Sequence, residues 1–138
     1  MSLTDADPEP PVPVPDVVSA PFWAATATGV LALARCRDCR RWDHPPQERC
    51  RRCGGAICFE EISGHGTIFS FVVNRRQFVP GHPPGEVIGF VELAEQPGLR
   101  LTALVDADPA DVAIGRPVVA TLAAVGHSGF VAPVFRLV

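Results

Sequence analysis

Two cysteine pairs constrain this chain more than any other feature. Cys36-Arg37-Asp38-Cys39 and Cys50-Arg51-Arg52-Cys53 are separated by ten residues. A C-x2-C turn lets both thiolates of one knuckle face a single ion, and two knuckles supply four sulfurs in a tetrahedron. Gly54 and Gly55 follow the second knuckle, where backbone amides turn in toward sulfur and a positive φ is useful. Arg40 stands at the comparable place after the first knuckle. Four thiolates leave no open coordination position, so an ion on Cys36, Cys39, Cys50 and Cys53 is structural rather than catalytic. Zinc is the first choice for such a cage and iron the chemical alternative. A redox C-x-x-C is a poor reading of two pairs at this range. The fifth cysteine, Cys58, falls in Ala56-Ile57-Cys58-Phe59-Glu60 and is expected as a small packed residue of a strand.

The 138 residues suit one domain with a small appendage, and 15 prolines with 12 glycines argue for short strands and tight turns over a helical bundle. Met1 to Asp16 lacks the basic start and apolar run of a secretory signal, and no stretch approaches the roughly 20 apolar residues that cross a bilayer. A cytoplasmic setting with reduced cysteines is therefore expected, which favours metal over disulfides. The net charge of −3 gives no whole-chain case for nucleic-acid binding. It hides an asymmetry, because seven of the twelve arginines lie between Arg35 and Arg52. Part of that basic patch can balance thiolate charge. The remainder suits a phosphate-bearing ligand or an acidic surface.

Three zones follow from composition. Residues 1–16 carry five prolines and four acids and are expected as a disordered, Pro-rich tail, whose P-x-x-P spacing could alternatively dock an aromatic groove. Residues 17–56 hold a short amphipathic helix over Val17 to Thr28, a strand over Gly29 to Ala34, and the knuckles. Residues 57–138 hold six strand candidates: Ile57 to Ile62, Thr67 to Asn74, Val87 to Leu93, Leu99 to Val105, Pro117 to Val125 and Phe130 to Leu137. Glycine corners between short strands suit a small closed barrel of the OB type. The fold class expected is mainly β, with an N-terminal helix, a ribbon and a C-terminal barrel. No Ser/His/Asp order, paired-carboxylate spacing or phosphate loop stands out.

The order of these pieces resembles one family. Pro21-Phe22-Trp23, Gly29 to Cys36, Cys39, Pro45-Pro46, Cys50 to Gly54, Ser63-Gly64 with Gly66-Thr67, and Ile114-Gly115-Arg116-Pro117-Val118 are similar to the domain of unknown function 35 family. The departures are Arg40, where a glycine is usual, and Phe59, where tryptophan is frequent. The resemblance implies a rubredoxin-like zinc ribbon joined to an OB-fold, with the four cysteines carried over as zinc ligands. It also implies a non-catalytic accessory subunit that docks an acyl-CoA-processing enzyme, thiolase-fold or lipid-transfer-protein-like aldolase, as in steroid side-chain breakdown. Other members are similar to partners of hot-dog-fold enoyl-CoA hydratases. Arg75 and Arg76, two cations at a strand end, are candidate contacts for a CoA phosphate. A single-stranded nucleic-acid module is the competing reading, since ribbons and OB-folds both serve it. The barrel half opposes it, with five arginines against eight acids.

Overall fold

Helix α1 (Ala20–Ala27) begins where Asp16 turns the chain, its carboxylate accepting from the N–H of Val18 at 3.0 Å and of Ser19 at 2.7 Å. The structure, a computed structural model, describes residues 9–138. Pro21 sits in the first turn of the helix, where a missing N–H removes no bond. Gly29, at a φ of +89°, takes the chain out. The expected helix is present but not amphipathic, because it is wedged between two bodies. Phe22 faces His44 on the ribbon side, with ring centroids 6.4 Å apart, and its neighbour Trp23 meets Phe130 edge-on at 5.7 Å.

Three antiparallel strands, β1 (Ala32–Cys36), β2 (Trp42–Asp43) and β3 (Ile57–Glu61), form a sheet in the order β2-β1-β3. This corrects one expectation, that Ile57 to Ile62 opens the barrel. β3 leaves the second knuckle and returns along β1, which carries the first, pairing Arg35 with Cys58 and Ala32 with Glu61. Sharing those two ends through the knuckles places β3 in the ribbon sheet before the chain reaches the barrel.

The barrel consists of β4 (His65–Asn74), β5 (Glu86–Leu93), β6 (Arg100–Val105), β7 (Pro117–Ala124) and β8 (Val131–Leu137). It closes in the order β4-β5-β6-β8-β7, with β7 pairing back to β4. All pairings are antiparallel except β6 with β8, where Leu104 aligns with Val134 and Val105 with Phe135. Closure leaves the barrel with no free edge. Ile68, Val87, Val91, Val118 and Phe135 fill the interior, none more than 1% exposed. A bulge between Ile68 and Ser70 turns Phe69 outward, against Phe90 at 6.0 Å. No helix among the described residues is long and apolar enough to cross a membrane.

Of the tail, residues 1–8 lie outside the described residues. Glu9 to Asp16 forms no helix or strand, yet Pro10 and Pro13 are half-buried and so not freely solvated.

Gln96, in the β5–β6 turn, joins barrel to ribbon. Its Oε1 accepts from the N–H of Trp42 at 2.9 Å and its Nε2 donates to the Trp42 carbonyl at 3.1 Å. One amide side chain thereby pairs with the edge strand β2 as another strand would. Gln96→Ala is expected to lower the unfolding free energy by about 1–2 kcal/mol, the worth of two partly buried hydrogen bonds. Urea unfolding measures it, and an unchanged midpoint would show that the bridge contributes nothing.

Candidate metal centre

The two knuckles are built alike. Each opens on a buried cysteine, Cys36 or Cys50, and closes on an exposed one, Cys39 or Cys53. In the first, the N–H of Arg40 donates to the Cys36 carbonyl at 3.1 Å; in the second, Gly54 donates to Cys50 at 2.9 Å. Further amides aim at sulfur. Asp38 and Cys39 donate to Cys36 Sγ at 3.3 and 3.4 Å, and Arg52 donates to Cys50 Sγ at 3.3 Å.

These turns bring the four Sγ atoms within 4.8 Å of one another, with Cys36 to Cys53 at 3.4 Å and Cys39 to Cys50 at 3.6 Å. Tetrahedral ligands on metal–sulfur bonds of about 2.3 Å lie about 3.8 Å apart. The donor set therefore fits a single ion. Cys58 stands outside it, half-buried on β3, with its thiol donating to the Arg35 carbonyl at 3.3 Å. His44 also stays outside; burial against Phe22 pushes its pKa down.

Electrostatics explain why a cation is needed. The amides of Cys39 and then Asp38 favour the Cys36 thiolate and bring its pKa down to about 6. The amides of Cys53 and Arg52 likewise lower Cys50. Cys53 goes the other way, to about 11: the Gly55 amide favours its thiolate, but the neighbouring sulfurs, Cys36 foremost, outweigh it. Four thiolates at this spacing repel one another unless a cation sits among them.

Two local features were only half visible in sequence. Arg40 takes the left-handed conformation that glycine would take, at a φ of +65°, matching Gly54 at +75°. The cost is offset by bracing: Arg35 Nε donates to the Arg40 carbonyl at 2.7 Å, and both guanidiniums pair with Glu60. Arg35 also lies 4.5 Å above the Trp42 ring. Gly55 matters for space rather than for φ, since a Cβ there would lie 2.8 Å from Cys36 Sγ and 2.7 Å from an Asp38 carboxylate oxygen. Nothing in the residue order marks that approach.

The other candidates lie elsewhere. Arg75 and Arg76 are exposed just beyond β4, on the rim of an apolar groove of about 780 Å³ lined by Val72, Phe78, Val79, Ile88 and Leu104. Of the basic patch, Arg51 pairs with the buried Asp43 at 3.3 Å, while Arg37, Arg41 and Arg52 have no ion pair among the described residues. Sequence reading missed a stack on the outer barrel wall, where the Arg100 guanidinium lies 3.7 Å from the Phe69 ring centre.

Gly55→Ala is expected to lower bound metal well below one ion per chain while leaving the barrel folded. Elemental analysis beside circular dichroism checks it; full metal occupancy would show that Cys36 can yield. Arg40→Gly removes the strained conformation and is expected to raise the melting temperature by a few degrees, because the exposed Glu60 pair it gives up is weak.

Comparison with known proteins follows the same division of the chain. The rubredoxin-like zinc ribbon domain of ChsH2 matches residues 23–57, and the ChsH2 C-terminal OB-fold domain matches residues 59–123. The chain is 41% identical over 102 residues to the 3-oxo-4,17-pregnadiene-20-carboxyl-CoA hydratase alpha subunit of Mycobacterium tuberculosis, covering 72% of this chain and 32% of that protein. It thus spans about a third of the length of the curated hydratase subunits it matches. It is 35% identical over 105 residues to a DUF35 domain-containing scaffold protein of Methanocaldococcus jannaschii, covering 72% of each. Among solved structures, the Ltp2-ChsH2(DUF35) aldolase superposes with a TM-score of 0.84 at 29% identity, over 91% of this chain and 98% of that one. Ribbon, barrel and the Methanocaldococcus jannaschii relative agree: the chain belongs to the domain of unknown function 35 family.

Proposed function

We propose that this chain is a non-catalytic subunit, held together by zinc on Cys36, Cys39, Cys50 and Cys53, that docks an acyl-CoA-processing enzyme and helps form its substrate site. The partner is a thiolase-fold, lipid-transfer-protein-like aldolase of the kind that shortens steroid side chains. One observation carries this reading: the chain superposes on nearly the whole of a subunit from a solved aldolase complex. A closed sulfur shell supports it further, because such an ion shapes the ribbon without offering a position to substrate. Reduced thiolates suit a cytoplasmic setting.

A second reading has its own support. The relatives named as hydratase alpha subunits favour a hot-dog-fold enoyl-CoA hydratase as partner, although they match this chain over only about a third of their length. Arg75 and Arg76 serve both readings as contacts for a CoA phosphate, their cationic ends standing at the rim of an apolar groove.

Affinity purification from the native cell tests the assembly. Stoichiometric co-elution of an aldolase whose activity falls severalfold without this chain is the expected result. Turnover of an acyl-CoA by the isolated chain would overturn the accessory reading, and a co-eluting hydratase would select the second one. The purified protein is expected to be colourless with one zinc per chain; a coloured, iron-loaded protein refutes zinc. Arg75→Ala with Arg76→Ala is expected to weaken acyl-CoA binding by the complex about fivefold, as two exposed ion pairs of about 0.5 kcal/mol each would give. Unchanged affinity removes both residues from the site.

A further inference from the structure

The proline-rich segment is placed by the barrel rather than left in solvent. Pro10 and Pro13 are half-buried, while Pro11, Val12, Val14 and Pro15 are exposed. The three-residue step from Pro10 to Pro13 is that of one turn of polyproline II helix, which proline favours by fixing φ.

Both flanks of the segment's seat are shaped to admit it. On one side lies Gly81, in the β4–β5 loop, where a Cβ would collide with the Pro10 backbone. On the other lies the β7–β8 turn. There the Glu9 carboxylate accepts from the backbone N–H of His127 at 3.1 Å and pairs with its ring Nδ1, and a Cβ on Gly126 would overlap that same carboxylate. Both glycines have positive φ, so the turns that hold the segment also present no side chain to obstruct it.

Beside the segment runs a groove of about 730 Å³, with Pro10, Pro11 and Pro13 in one wall and Phe22, Trp23, His44, Leu101, Ala123 and Val134 among the rest. Its size falls within the roughly 300–1,000 Å³ of ligand sites, and P-x-x-P segments dock grooves lined by aromatic rings.

We infer that the barrel beside this groove is a polyproline II seat filled in cis: Glu9–Pro13 is a strap fastened between Gly81 and His127 that walls one side of the groove, and its release widens the groove onto the strap's own seat. The strap has the chemistry of its surroundings, with prolines lining one groove with rings and alanines and one carboxylate on a histidine. The strap is separate from the four cysteines, and its groove shares His82, Glu86, Ala103 and Leu104 with the groove rimmed by Arg75 and Arg76.

The test uses the full chain and two double variants. Pro10→Ser with Pro13→Ser removes the half-buried residues; Val14→Ser with Pro15→Ser changes exposed residues that do not line the groove. The first pair is expected to move the amide NMR resonances of Thr102, Ala123 and Ala132 and to raise the fluorescence of an apolar dye severalfold, with circular dichroism and metal content unchanged. The second pair should match the parent. Glu9→Ala, which frees the clasp but keeps both prolines, should fall between them. A synthetic peptide of residues 9–16 should then displace the dye from the Pro10/Pro13 variant. The strap is refuted if both double variants behave alike, if Glu9→Ala and the Pro10/Pro13 pair leave resonances and dye at parental values, or if the peptide fails to displace the dye.

Discussion

Four sulfurs drawn around one point fix the ribbon, and much of the remaining arrangement hangs from it. β2 is only two residues long, and between the knuckles regular structure is nearly absent. A sheet this small buries too little to fold on apolar contacts alone, and an ion held by the four cysteines would replace the missing core. With the knuckles closed, β1 and β3 are brought side by side, Trp42 is presented to Gln96, and His44 is set against Phe22. Ribbon and barrel then meet through a helix whose adjacent aromatic rings point one to each.

Arginine has several roles in this frame that its charge alone would not disclose. Arg35 donates to a backbone carbonyl, pairs with Glu60 and covers an indole face at once, a use of the planar guanidinium that lysine could not reproduce. Its neighbour Arg40 holds a backbone conformation suited to glycine and is kept there by that same cluster. The surplus positive charge near the thiolates is thus partly internal bracing. Exposed and without an ion pair among the described residues are Arg37, Arg41, Arg49 and Arg52.

Much of this was legible in the residue order, because the signals were local. Cysteine spacing announced the cluster, and alternating apolar runs bounded by glycine announced all five barrel strands. What escaped depends on register or on through-space approach. Cys58 looked like a barrel residue because strand alternation says nothing about which sheet a strand joins; that was decided by its pairing with Arg35. Gln96 sits in an ordinary turn sequence and acquires its role only when β2 arrives opposite it. Pro10 and Pro13 carry a recognisable spacing, but the groove beside them is assembled from α1, β6, β7 and β8, which are far apart along the chain.

The parallel pairing of β6 with β8 bears on how the molecule comes into being. β8 lies between β6 and β7, so residues 131–137 must be inserted before the barrel wall is continuous. Synthesis proceeds from the other end, and loops closed over long sequence separation form slowly. The ribbon and the β4–β5–β6 meander can form while the nascent chain is still growing. The barrel waits with two open edges for its last strand. In that interval β6 and β7 hold unpaired backbone edges, the kind of edge with which another chain can pair.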